Sequence, residues 1–265
     1  REGRSTRAFI KARAPETKVY VTVDSGPADI EDAEPIAPAD LGDAIATGKF
    51  ATIVKSPGVS RYRPIFAIAR EAGIAVTSNL NLWGETWRAG RLVIAITGTK
   101  GKSTTATLTH LMLVESGLDA GFAGNVGLAP REIADKHHIV VFELSSYQTA
   151  DMAFSPDIAG ITNLSPEHTD WHRDVARYYA DKLNLIDRDQ PIAIALGRAA
   201  KDNPLVDAAV RDRSRLIAPT APFLVDRITT AVRRSKLKGE HNLDNALLAA
   251  QLAMKAGADI EGVIR

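Results

Sequence analysis

The sequence predicts an α/β fold built around a mostly parallel sheet. Short apolar runs that suit strands alternate with longer helical patterns along the whole chain, as parallel sheets with covering helices require. From residue 91 onward several of these runs are apolar at every position, as expected for strands buried on both faces. A length of 265 residues is enough for two domains, which we place at 1–90 and 91–265.

The N-terminal part predicts a small Rossmann-like domain. β-branched and apolar residues mark three strands, and turn residues at 24–26 and 56–58 follow the first two. Helical patterns precede the first strand and separate the last two, so parallel pairing is expected. The predicted strands cover 18–23, 52–54 and 74–77, and the predicted helices cover 7–14 and 65–73.

The central part repeats the alternation of strands and helices with longer and more apolar elements. A continuous apolar run opens it, and an Ala/Leu-rich helix lies near its end. Residues 197–238 give no clear pattern. The predicted strands cover 92–97, 139–144, 158–163 and 192–196, and the predicted helices cover 102–116, 174–186 and 242–256.

Composition excludes several classes of function. The formal net charge is +1, which gives no reason to expect a nucleic acid or an anionic membrane as the main partner. Cysteine is absent, which excludes disulfides, zinc thiolates and thiol catalysis. No run of 18 apolar residues and no signal-peptide pattern is present, so we expect no membrane insertion and a cytoplasmic location.

A phosphate-binding loop is the clearest functional signal. Residues 97–105 read T-G-T-K-G-K-S-T-T between a predicted strand and a predicted helix. Glycines there let backbone N–H groups approach phosphates at a helix start, with Lys102 near the β- and γ-phosphates and Ser103 on Mg²⁺. The alternative is a tight turn with a surface lysine. The predicted nucleotide contacts are Gly98, Thr99, Lys100, Gly101, Lys102, Ser103 and Thr104.

One departure from the common phosphate-loop pattern is informative, because Ile96 stands where the first glycine is expected. The loop resembles the variant loop of the Mur ligase family, the ATP-dependent amide-forming enzymes of peptidoglycan synthesis. The resemblance implies a UDP-binding N-terminal domain and a P-loop ATPase-type central domain. We expect the first strand of the N-terminal domain, and the third domain that binds the incoming amino acid, to be absent from this chain.

Glu143 ends a predicted buried strand, and a carboxylate at that end faces the ligand crevice of a parallel sheet. Beside a phosphate loop it suits Mg²⁺, whereas a capping or solvated glutamate is the plainer interpretation. The segment E-L-S-S-Y-Q that begins at Glu143 resembles the E-L-S-S-F-Q of the family's glutamate-adding branch.

Two further residues gain a role from the resemblance. Taken alone, His168 is a loop histidine, and its spacing from His172 gives a weak zinc pattern without a helix to align it. Taken alone, Lys182 is a solvated helix lysine. N-L-S-P-E-H-T-D over 163–170 is similar to a family loop whose histidine acts on the second Mg²⁺, and Y-x-x-x-K ending at Lys182 resembles a site of lysine carbamylation. The implied metal ligands are Ser103, Glu143, His168 and N6-carboxylated Lys182, and the implied catalytic residues are Lys102, Glu143, His168 and Lys182.

Other matches concern adenine and the UDP substrate. Asn242 and Asn245 lie on one face of a predicted helix, in a segment close to the family's G-x-H-N-x-x-N-A, and their amides suit the edge of adenine. Helix capping by Asn242 is the alternative, and both can hold. Asn125 in G-N-V-G resembles a turn that contacts substrate and nucleotide. The implied substrate contacts are Arg1, Glu2, Asp24, Ser25, Gly58 and Asn125.

The resemblance implies a reaction, with ATP and two Mg²⁺ ions as cofactors. D-glutamate would be added to UDP-N-acetylmuramoyl-L-alanine through an acyl phosphate, by an enzyme that we expect to be a monomer. Three alternatives stay open: a sister ligase that adds L-glutamate, a folylpolyglutamate-type ligase, and a nucleotide-binding module without catalysis.

Overall fold

A computed structural model describes residues 2–26, 30–133, 136–189 and 191–265 of the chain. Among the described residues of the N-terminal part, four short strands form two separate pairs, β1–β2 and β3–β4, and both pairs are parallel, as the sequence predicts. The strands are β1 Tyr20–Val21, β2 Glu34–Pro35, β3 Thr52–Lys55 and β4 Ala75–Ser78, and the helices are α1 Glu2–Arg13, α2 Leu41–Ala46, α3 Ile65–Glu71 and α4 Asn79–Trp87.

The central part contains a five-stranded sheet in the order β6-β7-β5-β8-β9, with every neighbouring pair parallel. This confirms the predicted fold class. The strands are β5 Leu92–Thr97, β6 Ala120–Gly124, β7 Ile139–Glu143, β8 Ile158–Ile161 and β9 Ala193–Leu196. The helices are α5 Lys102–Glu115, α6 Pro130–Ile133, α7 Ser146–Asp151, α8 Thr169–His172, α9 Val175–Asp187, α10 Arg198–Lys201, α11 Pro204–Ala209, α12 Pro222–Arg234, α13 Glu240–Lys255 and α14 Ile260–Ile264.

The central strand β5 supplies side chains to two apolar layers, because alternate residues of a strand point to opposite faces. Val93 and Ala95 belong to a cluster that α4, α9 and α11 complete on one side of the sheet. Ile94 and Ile96 belong to a second cluster, which α5, α12 and α13 cover. The sheet is therefore buried on both faces, and its carboxyl edge, where Thr97 and Glu143 end their strands, is left for ligands.

Several elements differ from the predictions. The strand expected over 18–23 pairs only at Tyr20–Val21, and the helix expected over 7–14 begins earlier, at Glu2. Strand β6 was not predicted, because A-G-F-A-G lacks β-branched residues and gains its stability from pairing with β7.

Helix α7 was also not predicted, although its start carries a sequence signal. Ser145 and Gln148 form a capping box, in which each side chain bonds the other's backbone N–H. The unassigned stretch 197–238 contains α10, α11, α12 and a 3₁₀-helix at Arg213–Arg215. Throughout the described ranges, no helix has both the length and the apolar character needed to cross a membrane.

Candidate active site

The phosphate loop joins β5 to α5 at the carboxyl edge of the central sheet, as predicted. Gly98 and Gly101 have φ angles of +146° and +85°, which disfavour any residue with a Cβ. A Cβ on Gly98 would also overlap the Thr162 hydroxyl, and one on Gly101 would overlap the Asn245 amide oxygen. The loop is therefore closely packed against the end of β8 and against α13.

The residues that follow β8 hold the backbone of the loop in place. The Thr99 hydroxyl donates to the Ser165 carbonyl at 2.9 Å and accepts from the Ser165 N–H at 2.8 Å. The Tyr178 hydroxyl lies 3.0 Å from Thr99 Oγ1, and burial raises the pKa of Tyr178 to about 12, so it remains a donor. Lys100 donates its N–H to Asn163 Oδ1 at 3.1 Å and accepts from Asn163 Nδ2 at 2.9 Å.

Two lysines reach the loop from different helices. Lys102, the first residue of α5, donates to the Thr99 carbonyl at 2.8 Å, and burial lowers its pKa against the opposing effects of Glu143 and Glu167. Lys182 of α9 is 2% exposed and donates to the Gly98 carbonyl at 2.6 Å. Burial, with the charge of Lys102, lowers the pKa of Lys182 to about 7. The prediction from local sequence that Lys182 is a solvated surface lysine is therefore wrong.

Glu143 is fully buried at the end of β7 and faces the same loop. Its Oε1 accepts from Asn125 Nδ2 at 3.3 Å, whereas its Oε2 has no hydrogen-bond partner among the described residues. Burial raises the pKa of Glu143, and the charge of Lys102 opposes that shift. A buried carboxylate oxygen without a donor favours a cation at this point.

His168 and Glu167 lie on the loop that precedes α8. His168 has a positive φ of 54°, its exposed ring lies 5.2 Å from the Tyr147 ring, and its Nε2 is 3.8 Å from Glu167. Glu167 was not predicted as a site residue, yet its charge acts on the pKa of both Lys102 and Lys182. The only sequence signal for Glu167 was its position next to His168.

The second histidine of the weak zinc pattern is not available to a metal. His172 is fully buried, with Nδ1 2.6 Å from Asp181 Oδ2 and Nε2 2.9 Å from Ser146 Oγ. Both ring nitrogens are therefore occupied by protein partners.

The remaining nucleotide candidates lie around the first turn of α5. Ser103 is exposed there and Thr104 is half-buried. Asn245 is buried against Gly101, and its Nδ2 lies 3.5 Å from Asn242 Oδ1. Asn242 does not cap the start of α13, because Gly239 is the cap residue and no side chain of the described residues bonds the free N–H groups there. The Asn242 amide instead donates to the Lys238 carbonyl at 2.8 Å.

The predicted substrate residues are only partly brought together. Glu2 and Asp24 line a cavity of about 1190 Å³ between α1, β1 and β3, whereas Ser25 and Gly58 are not among its lining residues. A paired hydrogen bond from Arg63, at 2.7 and 2.6 Å, lowers the pKa of Asp24. Burial raises the pKa of Glu2, and Arg1 lies outside the described residues.

A magnesium ion prefers oxygen ligands and retains several waters or phosphate oxygens when it binds a protein. In the described part of the chain, no group of three or more His, Asp and Glu side chains is arranged to hold a metal. The unpartnered Oε2 of Glu143 and the exposed hydroxyl of Ser103 nevertheless suit a magnesium ion that also binds phosphate. An unmodified Lys182 ammonium would repel that ion, whereas a carboxylated one would bind it.

Comparison with known proteins relates the central part of the chain to a known family. Residues 96–214 match the family profile described as the Mur ligase middle domain. A solved ligase from Neisseria meningitides, which joins UDP-N-acetylmuramate to L-alanyl-gamma-D-glutamyl-meso-diaminopimelate, aligns with a TM-score of 0.60 at 17% identity. The alignment covers 98% of this chain and 92% of that chain, and shows the shared fold.

Sequence relatives fall into two groups by their named substrate. L-glutamate ligases acting on UDP-N-acetylmuramoyl-L-alanine include one from Xanthomonas euvesicatoria, 38% identical over 76% of this chain and 45% of its own length. Another from Micromonospora is 32% identical over 98% of this chain and 60% of its own length. A UDP-N-acetylmuramoylalanine–D-glutamate ligase from Methylococcus capsulatus is 31% identical over 99% and 61%. The chain thus spans about half to three fifths of the length of these relatives, and its residues 96–214 carry the middle domain of the Mur ligase family.

Proposed function

We propose that the full protein is an ATP-dependent ligase that adds glutamate to UDP-N-acetylmuramoyl-L-alanine, a step in peptidoglycan precursor synthesis. The observation that carries this proposal is the buried Glu143 carboxylate, which lies with Lys102 and Lys182 at one phosphate loop. The names of the sequence relatives support the acceptor. We assign 1–90 to the UDP-substrate domain and 91–265 to the ATP-binding domain, and we expect a monomer in the cytoplasm.

The proposed reaction has two steps, a phosphoryl transfer and the formation of an amide bond. A carboxylate oxygen of the acceptor attacks the γ-phosphorus of ATP, the bond to the β-phosphate oxygen breaks, and ADP leaves. The amine of glutamate then attacks the acyl phosphate, loses a proton and expels phosphate. Catalysis is mainly positioning and charge neutralisation, for which Lys102 and the N–H groups at the start of α5 are placed.

Divalent metal would supply charge neutralisation on the phosphates, held by Ser103, Glu143, His168 and carboxylated Lys182. Lys182 supports this assignment because burial favours its neutral amine, the form that combines with CO₂ and releases a proton. The modification changes the charge from +1 to −1 beside Lys102. Asn242 and Asn245 are proposed for the adenine edge, and the cavity lined by Glu2 and Asp24 is proposed for the UDP group.

The choice between D- and L-glutamate stays open, since relatives of both kinds match this chain. The test is phosphate release by the full-length protein with ATP, UDP-N-acetylmuramoyl-L-alanine and each glutamate enantiomer. We expect release that requires the acceptor and one enantiomer, and that Glu143→Gln abolishes. Lys201→Met, on the exposed surface of α10, is the matched control and should keep full activity. Phosphate release that is indifferent to the acceptor would contradict the proposal.

A further inference from the structure

A chain of buried and half-buried hydrogen bonds joins the N-terminal part of the molecule to α9. The Tyr62 hydroxyl donates to Asp181 Oδ1 at 2.6 Å, and His172 Nδ1 lies 2.6 Å from Asp181 Oδ2. Because a carboxylate only accepts, His172 Nδ1 carries a proton and donates to Asp181, and its Nε2 lies 2.9 Å from Ser146 Oγ. Asp181 therefore accepts from Tyr62 through one carboxylate oxygen and from His172 through the other.

The members of this chain depend on one another. His172, Ser146 and Asp181 are 0%, 2% and 7% exposed, so little water can replace a lost partner. Burial, with the bond to Asp181, raises the pKa of Tyr62 to about 12, which keeps it a donor. The order Ser–His–Asp is also that of hydrolase triads, but Ser146 is buried and its hydroxyl is not open to a substrate.

Helix α9 carries a second set of contacts, directed at the phosphate loop. Lys182, the residue after Asp181, donates to the Gly98 carbonyl, and Tyr178 contacts Thr99 Oγ1. A shift or rotation of α9 would therefore disturb the Asp181 bonds and the Lys182 contact together. Asp181 thus links the orientation of Lys182 to the position of Tyr62.

The segment that carries Tyr62 is itself fixed to the central part. Trp171 Nε1 donates to the carbonyls of Pro57 and Gly58, both at 3.1 Å. The Ser60 hydroxyl donates to the Trp171 carbonyl at 2.6 Å. The segment that carries Tyr62 is thus tied to α8, and the Arg177 guanidinium of α9 lies 5.0 Å from the centre of the Tyr62 ring.

We propose that Asp181 is a positioning residue for Lys182, and that Tyr62 and His172 are its anchors. The inference rests on the proposed role of Lys182 at the phosphate loop. The anchored carboxylate holds the turn of α9 from which the Lys182 amine reaches Gly98, and a loosened anchor lets the amine swing out of the loop.

The test measures the access of reagent to Lys182 and needs no turnover. Full-length protein in CO₂-free buffer is treated with a trace of acetic anhydride, and each lysine is quantified by mass spectrometry. Tyr62→Phe and Asp181→Asn should raise acetylation of Lys182 by at least about fivefold, as expected when one hydrogen bond is lost from a local opening equilibrium. Tyr179→Phe, which removes a neighbouring hydroxyl from α9, is the matched control and should leave it unchanged.

Lys55, which is buried at the end of β3 and makes no contact with the phosphate loop in its hydrogen bonds, serves as the internal reference. Unchanged Lys182 acetylation in both variants overturns the proposal, and so does an equal rise at Lys55, which would indicate a general loosening of the fold.

A kinetic readout separates positioning from simple packing. Asp181→Asn should lower kcat about tenfold while the KM for ATP changes less than about twofold, because misplacement of a catalytic group acts on the transition state. The reverse pattern would contradict a positioning role. Absence of ligase activity in the unaltered protein would count against the proposed function alone, since the acetylation result decides the role of Asp181 by itself.

Discussion

Lys182 shows how burial changes the chemistry of a single residue. An ammonium that is 2% exposed and near Lys102 loses hydration without gaining a carboxylate partner, so its neutral form is favoured. The hydrogen bond to the Gly98 carbonyl aims the nitrogen at the phosphate loop. A neutral amine is the form that carboxylation requires, and the resulting carboxylate supplies the oxygen ligands that a magnesium ion prefers.

The first expectation concerns pH and stability. The pKa of Lys182 is about 7 in the folded protein and near its ordinary value of 10.5 in the unfolded chain. Between these values the unfolded chain binds a proton that the folded protein does not, so this group makes the free energy of unfolding rise with pH. In CO₂-free and metal-free buffer, the free energy of unfolding of the unaltered protein should increase relative to that of Lys182→Met as the pH is raised from about 7 to about 9.

Urea unfolding at the two pH values measures this difference. Lys201→Met, which removes an exposed lysine, should show no such trend. A stability difference for Lys182→Met that does not change with pH would show that Lys182 is charged in the folded protein.

The second expectation concerns the modified form of the same residue. Lys182→Ala should lose ligase activity, because the variant lacks the anionic ligand that the carboxylated side chain would provide. Short carboxylic acids added to the assay should restore part of that activity by entering the space left by the side chain. Undiminished turnover in the variant would remove the carboxylation hypothesis, and so the assay should compare phosphate release with and without added formate.

At the scale of elements, helix α5 is flanked by two glycines, Gly101 before its start and Gly117 beyond its end, and the two are constrained in different ways. Gly101 needs a left-handed backbone conformation, and it also lies against the Asn245 side chain of α13. Gly117 has a similar φ of +75° at the end of α5, but no atom lies within 4 Å of the position of its absent Cβ. Substitutions at Gly101 and Gly117 therefore distinguish the cost of backbone strain from the cost of close packing.

The third expectation uses this pair. Gly117→Ala should cost about 1 kcal/mol in the free energy of unfolding, from backbone strain alone. Gly101→Ala should cost more, about 2–3 kcal/mol, and should also weaken ATP binding, because Asn245 must move. Adding Asn245→Ala to Gly101→Ala should recover the packing part of the loss in stability but not the ATP affinity. Equal costs at both glycines, measured by urea unfolding, would be inconsistent with a tight contact to α13.

At the scale of the whole molecule, buried polar contacts hold the N-terminal part against the central part. Lys55 at the end of β3 pairs with Asp151 of α7 at 2.5 Å, and their side chains are 2% and 9% exposed. Burial lowers the pKa of Lys55 and raises that of Asp151, so each charged form depends on the other. Such a pair contributes more to the specificity of the fold than to its stability, because removal of either charge leaves the other charge buried without a partner.

The fourth expectation follows from this dependence. Lys55→Met should lower the free energy of unfolding by about 3–5 kcal/mol, and the double variant with Asp151→Leu should recover most of that loss. Arg63 and Asp24 form an exposed pair in the same part of the chain, and Arg63→Met should cost less than about 1 kcal/mol. Urea unfolding measures all three. Failure of the double variant to recover would indicate that Lys55 acts through its packing against Trp171 and not through its charge.

Local sequence was enough for the features that depend on near neighbours. The apolar runs of β5, β7 and β9 predict buried parallel strands, and T-G-T-K-G-K-S-T-T predicts a phosphate loop, because strand burial and loop geometry are both encoded within a few residues. Glu143 was predicted at the carboxyl edge for the same reason. The domain boundary at 90/91 and the roles of the site residues stay predictions.

Tertiary structure alone decided which of these groups meet and in what state of charge. Lys182 and Gly98 are 84 residues apart in the chain, and Tyr62 and Asp181 are 119 apart, so no local pattern records either contact. Glu167 was not predicted, because its effect on the pKa values of Lys102 and Lys182 depends on distance and burial. The physical reason is that the pKa of a side chain and the position of its amine depend on desolvation and on charges that folding brings close. The sequence by itself shows neither of these.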